Sequence, residues 1–199
     1  LSASYLYKDI LAYQQVKKPA VLEKLVIALA LQLGNEVTYH EVGQIVGLDP
    51  VTVERYIDLL EKAYVVFRLP SLGRNMRNEI KNGRKVYFFD LGVRNAIIKN
   101  FNPPALRQDI GALWENFCIV ERMKALQQHN RGVNRYFWRT FTQKEIDYIE
   151  EYDGALHAFE FKWSATAKRK VPHGFLAAYP GSSAAIITPD SFERFVTGI

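Results

Sequence analysis

Cysteine is the scarcest reactive residue in this sequence: among 199 residues only Cys118 occurs. A lone thiol excludes an internal disulfide framework and a cysteine-ligated zinc centre, and it suits a reducing compartment. The opening stretch LSASYLYKDI lacks a basic region followed by an apolar one, so no secretory signal is visible. Long apolar runs are missing as well. The longest extends from Leu25 to Leu31 with Leu33 just beyond, well short of the roughly 20 residues that span a bilayer. A soluble cytoplasmic protein without a membrane partner is the expectation. Also absent is G-x-x-x-x-G-K-[ST], so these residues are not expected to hydrolyse ATP. The chain has no initiator methionine and opens inside a helical pattern, which suggests a fragment of a longer protein.

What is present is enough to build a core. Hydrophobic residues make up 48% and charged residues 24%, a globular balance that allows one domain or two. The net charge of +5 permits an anionic partner without demanding one. Near the start, Leu22, Leu25, Val26, Leu29 and Leu33 recur at helical spacing before a Gly34-Asn35 stop. A second helix is predicted from about Tyr39 to Val46, ended by Gly47. Asp49-Pro50 then joins an N-cap side chain to a proline in the first turn, opening a third helix that should bury Val53, Ile57, Leu60 and Ala63. Two β-like runs follow, Tyr64 to Phe67 and Lys85 to Phe89. Three helices and a hairpin predict a winged-helix module over residues 1–102, with Pro103-Pro104 at the boundary.

Charge is unevenly placed. From Asp49 to Lys62 two basic residues face four acidic ones, leaving −2, which a phosphate backbone would repel. From Arg68 to Lys99 eight basic residues face two acidic ones, leaving +6. Arg74, Arg77, Lys81 and Arg84 are therefore candidate nucleic-acid contacts in the wing, against the alternative of a solvated loop. The helices are better suited to packing or interaction.

The segment from Glu145 to Trp163 carries the sharpest signal. Asp153-Gly154 between two β-rich runs marks a two-residue turn. With Tyr152 paired to Ala155, Asp147 lies across from Glu160 and Glu145 across from Lys162. Opposed carboxylates destabilise a sheet unless something positive neutralises them, and either a divalent cation or Lys162 would do so. Mg²⁺ is held by one or two carboxylates with waters and phosphate oxygens. The alternative is a solvent-facing strand with a surface ion pair of little energetic weight.

Asp147 followed by Glu160-Phe161-Lys162 resembles the PD-(D/E)XK signature of restriction-endonuclease-like proteins, and Gly111-Ala112-Leu113-Trp114-Glu115 resembles the helix that precedes it there. The order of elements agrees: a helix from about Leu106 to Gln128, a strand from Arg135 to Arg139, the hairpin, a helix near Gly174 to Tyr179 and a strand from Ala184 to Thr188. Over nearly the whole chain, Tyr5-Leu-Tyr-Lys-Asp9-Ile10, Thr52-Val-Glu-Arg-Tyr56-Ile-Asp-Leu-Leu60, Lys85-Val-Tyr-Phe-Phe-Asp90-Leu-Gly92 and Trp114-Glu115-Asn116-Phe117 resemble the uncharacterised C-terminal region of prokaryotic AAA-type ATPases. That resemblance implies an α/β fold (α+β overall), with a nuclease-like module and mixed sheet over 103–199. It also implies an ATP-binding domain preceding these residues as their partner.

It further implies Glu115, Asp147 and Glu160 as ligands of Mg²⁺ or Mn²⁺, with the Phe161 carbonyl a further possible ligand. Lys162 would be the catalytic lysine beside Asp147 and Glu160. On a helical wheel, however, Leu106, Ile110, Leu113, Phe117 and Val120 form the apolar stripe, with Glu115 nearly opposite and Glu121 at the border. Trp114 and Cys118 widen the arc, so the wheel leaves both glutamates open. Lys168-Arg169-Lys170 could grip a phosphate backbone or simply be solvated. His40, His129, His157 and His173 lack metal-ligand spacing and read as structural or solvated. Ser164 and Thr166 lack a nucleophile's context, Cys118 reads as core, and Tyr136, Phe137 and Trp138 read as sheet packing. Two functions follow as expectations: a metal-dependent nuclease, or a non-catalytic sensor or interaction module that regulates the ATPase domain.

Overall fold

The computed structural model describes residues 19–73, 83–164 and 173–198. The Tyr5 to Ile10 motif and the basic candidates Arg74, Arg77, Lys81, Lys168, Arg169 and Lys170 lie outside those residues. The fold is mixed α/β, in two compact units. Within the described residues the first unit takes 19–68 and 84–107, and the second takes 69–73, 83, 108–164 and 173–198. No described helix is long and apolar enough to cross a membrane.

The first unit begins with α1 (Pro19–Leu31), β1 (Glu36–Val37), α2 (Tyr39–Val46) and α3 (Pro50–Lys62). Leu22, Leu25, Val26, Leu29 and Leu33 are all buried, as their spacing requires. Thr38 caps α2 by accepting the Glu41 N–H at 3.1 Å. Asp49 caps α3 by accepting the Thr52 N–H at 2.9 Å. The turn between these helices is tight: a Cβ on Gly43 would come within 2.5 Å of the Leu48 carbonyl oxygen. Val53, Ile57 and Leu60 are buried as predicted, together with Tyr56 and Leu59. Ala63 is exposed instead. It is the C-cap residue of α3, and Tyr64 beside it turns left-handed at φ 54°, so both leave the apolar face.

That turn also delays the next strand. β2 (Val66–Pro70) and β3 (Arg84–Phe88) join β1 in a three-stranded sheet of order β1-β3-β2, with β1 antiparallel to β3. Arg68 on β2 gathers the acidic face of α3. Its guanidinium donates to Asp58 at 2.6 Å, to Glu61 at 2.5 Å and 3.0 Å, and to the Tyr39 hydroxyl at 2.6 Å. A helix absent from the sequence-based expectation, α4 (Leu91–Ile97), is capped by Asp90 and tied to α1 by Arg94, which donates to the Ala30 carbonyl.

The second unit is built on α5 (Ile110–Gln128), β4 (Asn134–Arg139), β5 (Glu145–Tyr152), β6 (Ala155–Phe161), α6 (His173–Ala178), β7 (Ser183–Ile187) and α7 (Phe192–Thr197). Leu106 lies before α5 in a short 3₁₀ turn and is exposed, so it does not join the predicted stripe. The sheet runs β4-β5-β6-β7, antiparallel across the first three strands and parallel between β6 and β7. A parallel neighbour requires a crossover, and α6 lies in that connection. On one face Ile149, Leu156 and Ala158 pack with Trp138 and Phe175. Leu72 joins that core while its N–H donates to the Phe137 carbonyl at 2.7 Å.

The opposite face carries α5 and α7 through a buried ion pair. Arg122 of α5 grips Glu150 of β5 with two parallel bonds of 2.8 Å, and the side chains are 3% and 0% exposed. The same guanidinium donates to the Phe195 carbonyl in α7 at 2.5 Å. Burial alone would ease the proton off Arg122, but the hydrogen bond and charge of Glu150 outweigh it and hold the pKa up. Arg122→Leu should therefore strand Glu150 and destabilise the protein by about 3–5 kcal/mol. This is measured as a lower urea midpoint at unchanged slope. Pairing it with Glu150→Leu should recover most of the loss, and a single variant as stable as the parent would refute the account.

Candidate functional site

Asp153 and Gly154 adopt φ of 51° and 73°, the two positive values that a type I′ turn needs and that Asp-Gly accepts readily. They fix the register. Tyr152 pairs with Ala155, and the ladder continues to Tyr148 opposite Phe159, the register predicted from the turn. Tyr152 and His157 stack near its tip, with ring centroids 4.1 Å apart.

At the far end the ladder changes. Between Tyr136 and Trp138 β4 advances two residues, while its partners on β5 run from Ile149 to Ile146, three residues. The extra residue is a β-bulge around Asp147 and Tyr148, a distortion that bends a strand and re-aims its side chains. Asp147 uses its side chain against β6: its Oδ2 accepts the Phe161 N–H at 2.8 Å. The regular ladder to β6 ends at Tyr148 opposite Phe159, so the bulge removes both predicted pairings, Asp147 with Glu160 and Glu145 with Lys162. Glu145 pairs on β4 with Arg139, whose Nε lies 3.6 Å from its carboxylate. The Lys162 N–H turns to the Ile187 carbonyl at 2.9 Å.

Lys162 finds its anion two residues back. Its Nζ donates to Glu160 Oε1 at 2.7 Å, and the Glu160 side chain is 14% exposed. The other oxygen, Oε2, is buried without a hydrogen-bond partner. A buried acceptor left open is uncommon and costly. Burial and the nearby charge of Asp147 raise the Glu160 pKa, outweighing the opposing pull of Lys162. Burial would lower the Lys162 pKa, yet the bond and charge of Glu160, with Asp147 and Glu115 behind it, raise it. The lysine is thus firmly protonated.

Glu115, half-buried on α5, completes the group electrostatically, since its charge acts on both Lys162 and Cys118. Cys118 is fully buried, and burial with the charges of Glu115 and Asp147 pushes its thiol pKa far up, leaving no reactive thiolate. Glu121 points elsewhere, bonded to Lys124 at 2.6 Å on the outer surface. The structure therefore makes Glu115 the helical carboxylate of this region. Among the described residues, no three His, Cys, Asp or Glu side chains converge as a ready-made metal cluster.

The remaining candidates are dispersed. Arg84 lies with its guanidinium 3.9 Å from the Tyr39 ring centre. His40 bonds Gln44, and His157 bonds Ser183. Phe137 and Trp138 are buried. Pattern reading missed the Arg122–Glu150 pair, although a lone arginine among the apolar residues of α5 was a signal. It also missed a ring cluster around Trp114, which touches Phe117, Trp163 and Phe192.

The model of a family described as a domain of unknown function (DUF8612) matches residues 1–104, and that of another domain of unknown function (DUF4143) matches residues 110–196. Two relatives, the uncharacterized protein Mb2031c of Mycobacterium bovis and the uncharacterized protein Rv2008c of Mycobacterium tuberculosis, are each 29% identical over 166 residues. The match covers 82% of this chain and 36% of each relative, so the chain spans about a third of their length. No solved structure matches.

The raised Glu160 pKa has a signed consequence. The folded state holds this proton at pH values where the unfolded chain, with its ordinary value of 4.5, has released it. The contribution to stability therefore falls as pH rises above 4.5 toward the folded value. Glu160→Gln removes that loss, so its stability relative to the parent should improve between pH 4.5 and neutrality. Urea denaturation across that range measures it, and a flat or opposite trend would refute the assignment.

Proposed function

The chain belongs to the DUF8612 family, whose match spans residues 1–104; for its second unit we propose a divalent-metal-dependent phosphodiesterase module acting on nucleic acid. The observation that carries this reading is Glu160: one oxygen held by a protonated lysine, the other buried and open. Oxygen donors from one or two carboxylates suit Mg²⁺, which keeps several waters and takes phosphate oxygens as further ligands. The donor set fits on those terms. Asp147 and Glu160 would hold the ion, with Glu115 adding negative charge behind them. When bound, such an ion polarises a phosphoryl oxygen and acidifies a bound water.

The chain's own residues do the positioning. The Phe161 N–H fixes one Asp147 oxygen and leaves the other outside that bond. Glu160 holds the Lys162 ammonium at 2.7 Å, where it can stabilise charge developing on a phosphate. This arrangement resembles the PD-(D/E)XK constellation. The helices and hairpin of the first unit resemble a winged helix, and the greater length of the relatives leaves room for the ATPase domain implied by the sequence resemblance.

A second reading is supported by two observations. No three ligands converge among the described residues, and Arg68 holds the acidic face of α3. These favour a non-catalytic module that senses or regulates an attached ATPase domain.

Mg²⁺ or Mn²⁺ at a hundredfold excess over its dissociation constant should stabilise the protein by about 2.7 kcal/mol, seen as a raised melting temperature that Glu160→Gln abolishes. Labelled single- and double-stranded DNA and RNA should be cut with either ion. Lys162→Ala should slow that cleavage about a hundredfold or more while keeping the thermal shift. Intact substrates of every form, with no thermal response to either ion, would leave the regulatory reading standing.

A further inference from the structure

Two tryptophans flank the proposed site. Trp163 follows Lys162 and Trp114 precedes Glu115, and their rings meet edge to face at 5.6 Å. Trp114 is the buried hub of the cluster, with Phe117 at 5.9 Å and Phe192 at 5.5 Å. Phe117 and Phe192 stack on each other at 5.1 Å. The two outer rings reach solvent: Trp163 is 43% exposed and Phe117 38%. A single exposed ring is ordinary, but two on one buried hub make a patch that calls for an occupant.

The neighbouring charge narrows that occupant. One residue from the Trp163 ring stands the Lys162 ammonium, paired with Glu160 at 2.7 Å and close to the charge of Asp147. An anion is welcome there once the divalent ion of the reading above offsets those carboxylates. A fitting ligand offers a flat apolar face with an anionic group close beside it. A nucleotide has both, stacking its base on aromatic rings while its phosphate seeks a cation. In a duplex the base faces are already occupied by their neighbours.

We propose that Trp163 and Phe117 form a stacking platform for an unpaired nucleobase whose phosphodiester lies at Lys162, which makes single-stranded or frayed nucleic acid the substrate class. The phosphate's place rests on the phosphodiesterase reading above. The stacking rests on the exposed rings. A protein partner would use the same apolar area but would not need an anion beside it.

The test uses the full chain and a fluorescein-labelled oligo-dT of about ten nucleotides, read by anisotropy at low salt, once with EDTA and once with Ca²⁺. A blunt duplex of equal length is the comparator. Trp114 and Trp138 are buried, so Trp163 should dominate any change in emission. The single strand should bind at least about tenfold tighter than the duplex and quench that emission. Trp163→Leu should weaken binding on the order of tenfold or more, the usual scale for losing one stacked base. Phe117→Leu gives an independent second variant, with circular dichroism checking the fold of both.

Equal affinity for duplex and single strand, no binding in either buffer, or affinity unmoved by both variants would overturn the platform. So would an apolar dye bound at Trp163 that excess oligo-dT cannot displace, which indicates a protein partner. Stacking that depends on Trp163 without cleavage in Mg²⁺ sustains the platform and removes the phosphodiesterase reading. Cleavage with KM unchanged in both variants does the reverse.

Discussion

Arg122 sets the rotation of the helix on which part of the site stands. It is seven residues from Glu115 on α5, two turns along nearly the same face. Its guanidinium is held by Glu150 on the sheet and by the Phe195 carbonyl of α7. A fully desolvated arginine with this many acceptors has one orientation, since any rotation of α5 would leave Glu150 buried without its counter-charge. The helical wheel offered no such constraint: α5 is buried on most sides, so apolar residues could not say which glutamate faced inward. The ion pair says it is Glu115, and it leaves Glu121 outside with Lys124.

The other half of the site depends on one surplus residue in β5. Glu150 anchors that strand, and three residues earlier the bulge at Asp147 and Tyr148 lets Ile146 rejoin the same packed face as Ile149. Without the surplus residue, strict alternation would put Ile146 and Ile149 on opposite faces. The bulge keeps the core continuous and frees Asp147 to accept the Phe161 N–H. Packing and the placement of a candidate-site carboxylate are thus one structural event.

This explains which parts of the molecule were legible in the sequence. The hairpin register was readable because Asp153-Gly154 is a local signal, and the start of α3 because Asp49-Pro50 is another. Asp147 and Glu160-Phe161-Lys162 were legible as a motif, but the regular ladder to β6 reaches only as far as Tyr148 opposite Phe159. What escaped was non-local. Nothing near Glu145 announces a bulge two residues on, so its expected place opposite Lys162 on β6 was lost when the ladder ended at Tyr148. Ala63 and Leu106 fit their helical periods but lie beyond the helix ends. Trp114, Phe117, Trp163 and Phe192 come from segments up to 78 residues apart in the sequence, and only the fold reveals them as one cluster.

The two units handle acidic side chains by contrasting means. In the first, Arg68 collects Asp58 and Glu61 with Nη2, assisted by Nε, and gives Nη1 to the Tyr39 hydroxyl, at the partly solvated base of α3. In the second, Arg122 meets both oxygens of the buried Glu150. Each arginine is planar and suited to carboxylate geometry. At Glu160 the partner is a lysine, a point charge that satisfies Oε1 and leaves Oε2 open. An arginine fork there would close the carboxylate and add stability. The lysine leaves a buried acceptor beside Asp147, where a further positive charge would relieve both groups. Among the described residues of this unit Glu150 is bonded at both oxygens and Glu160 at one, a contrast that supports the proposed site because local rules are broken where stability is given up for function.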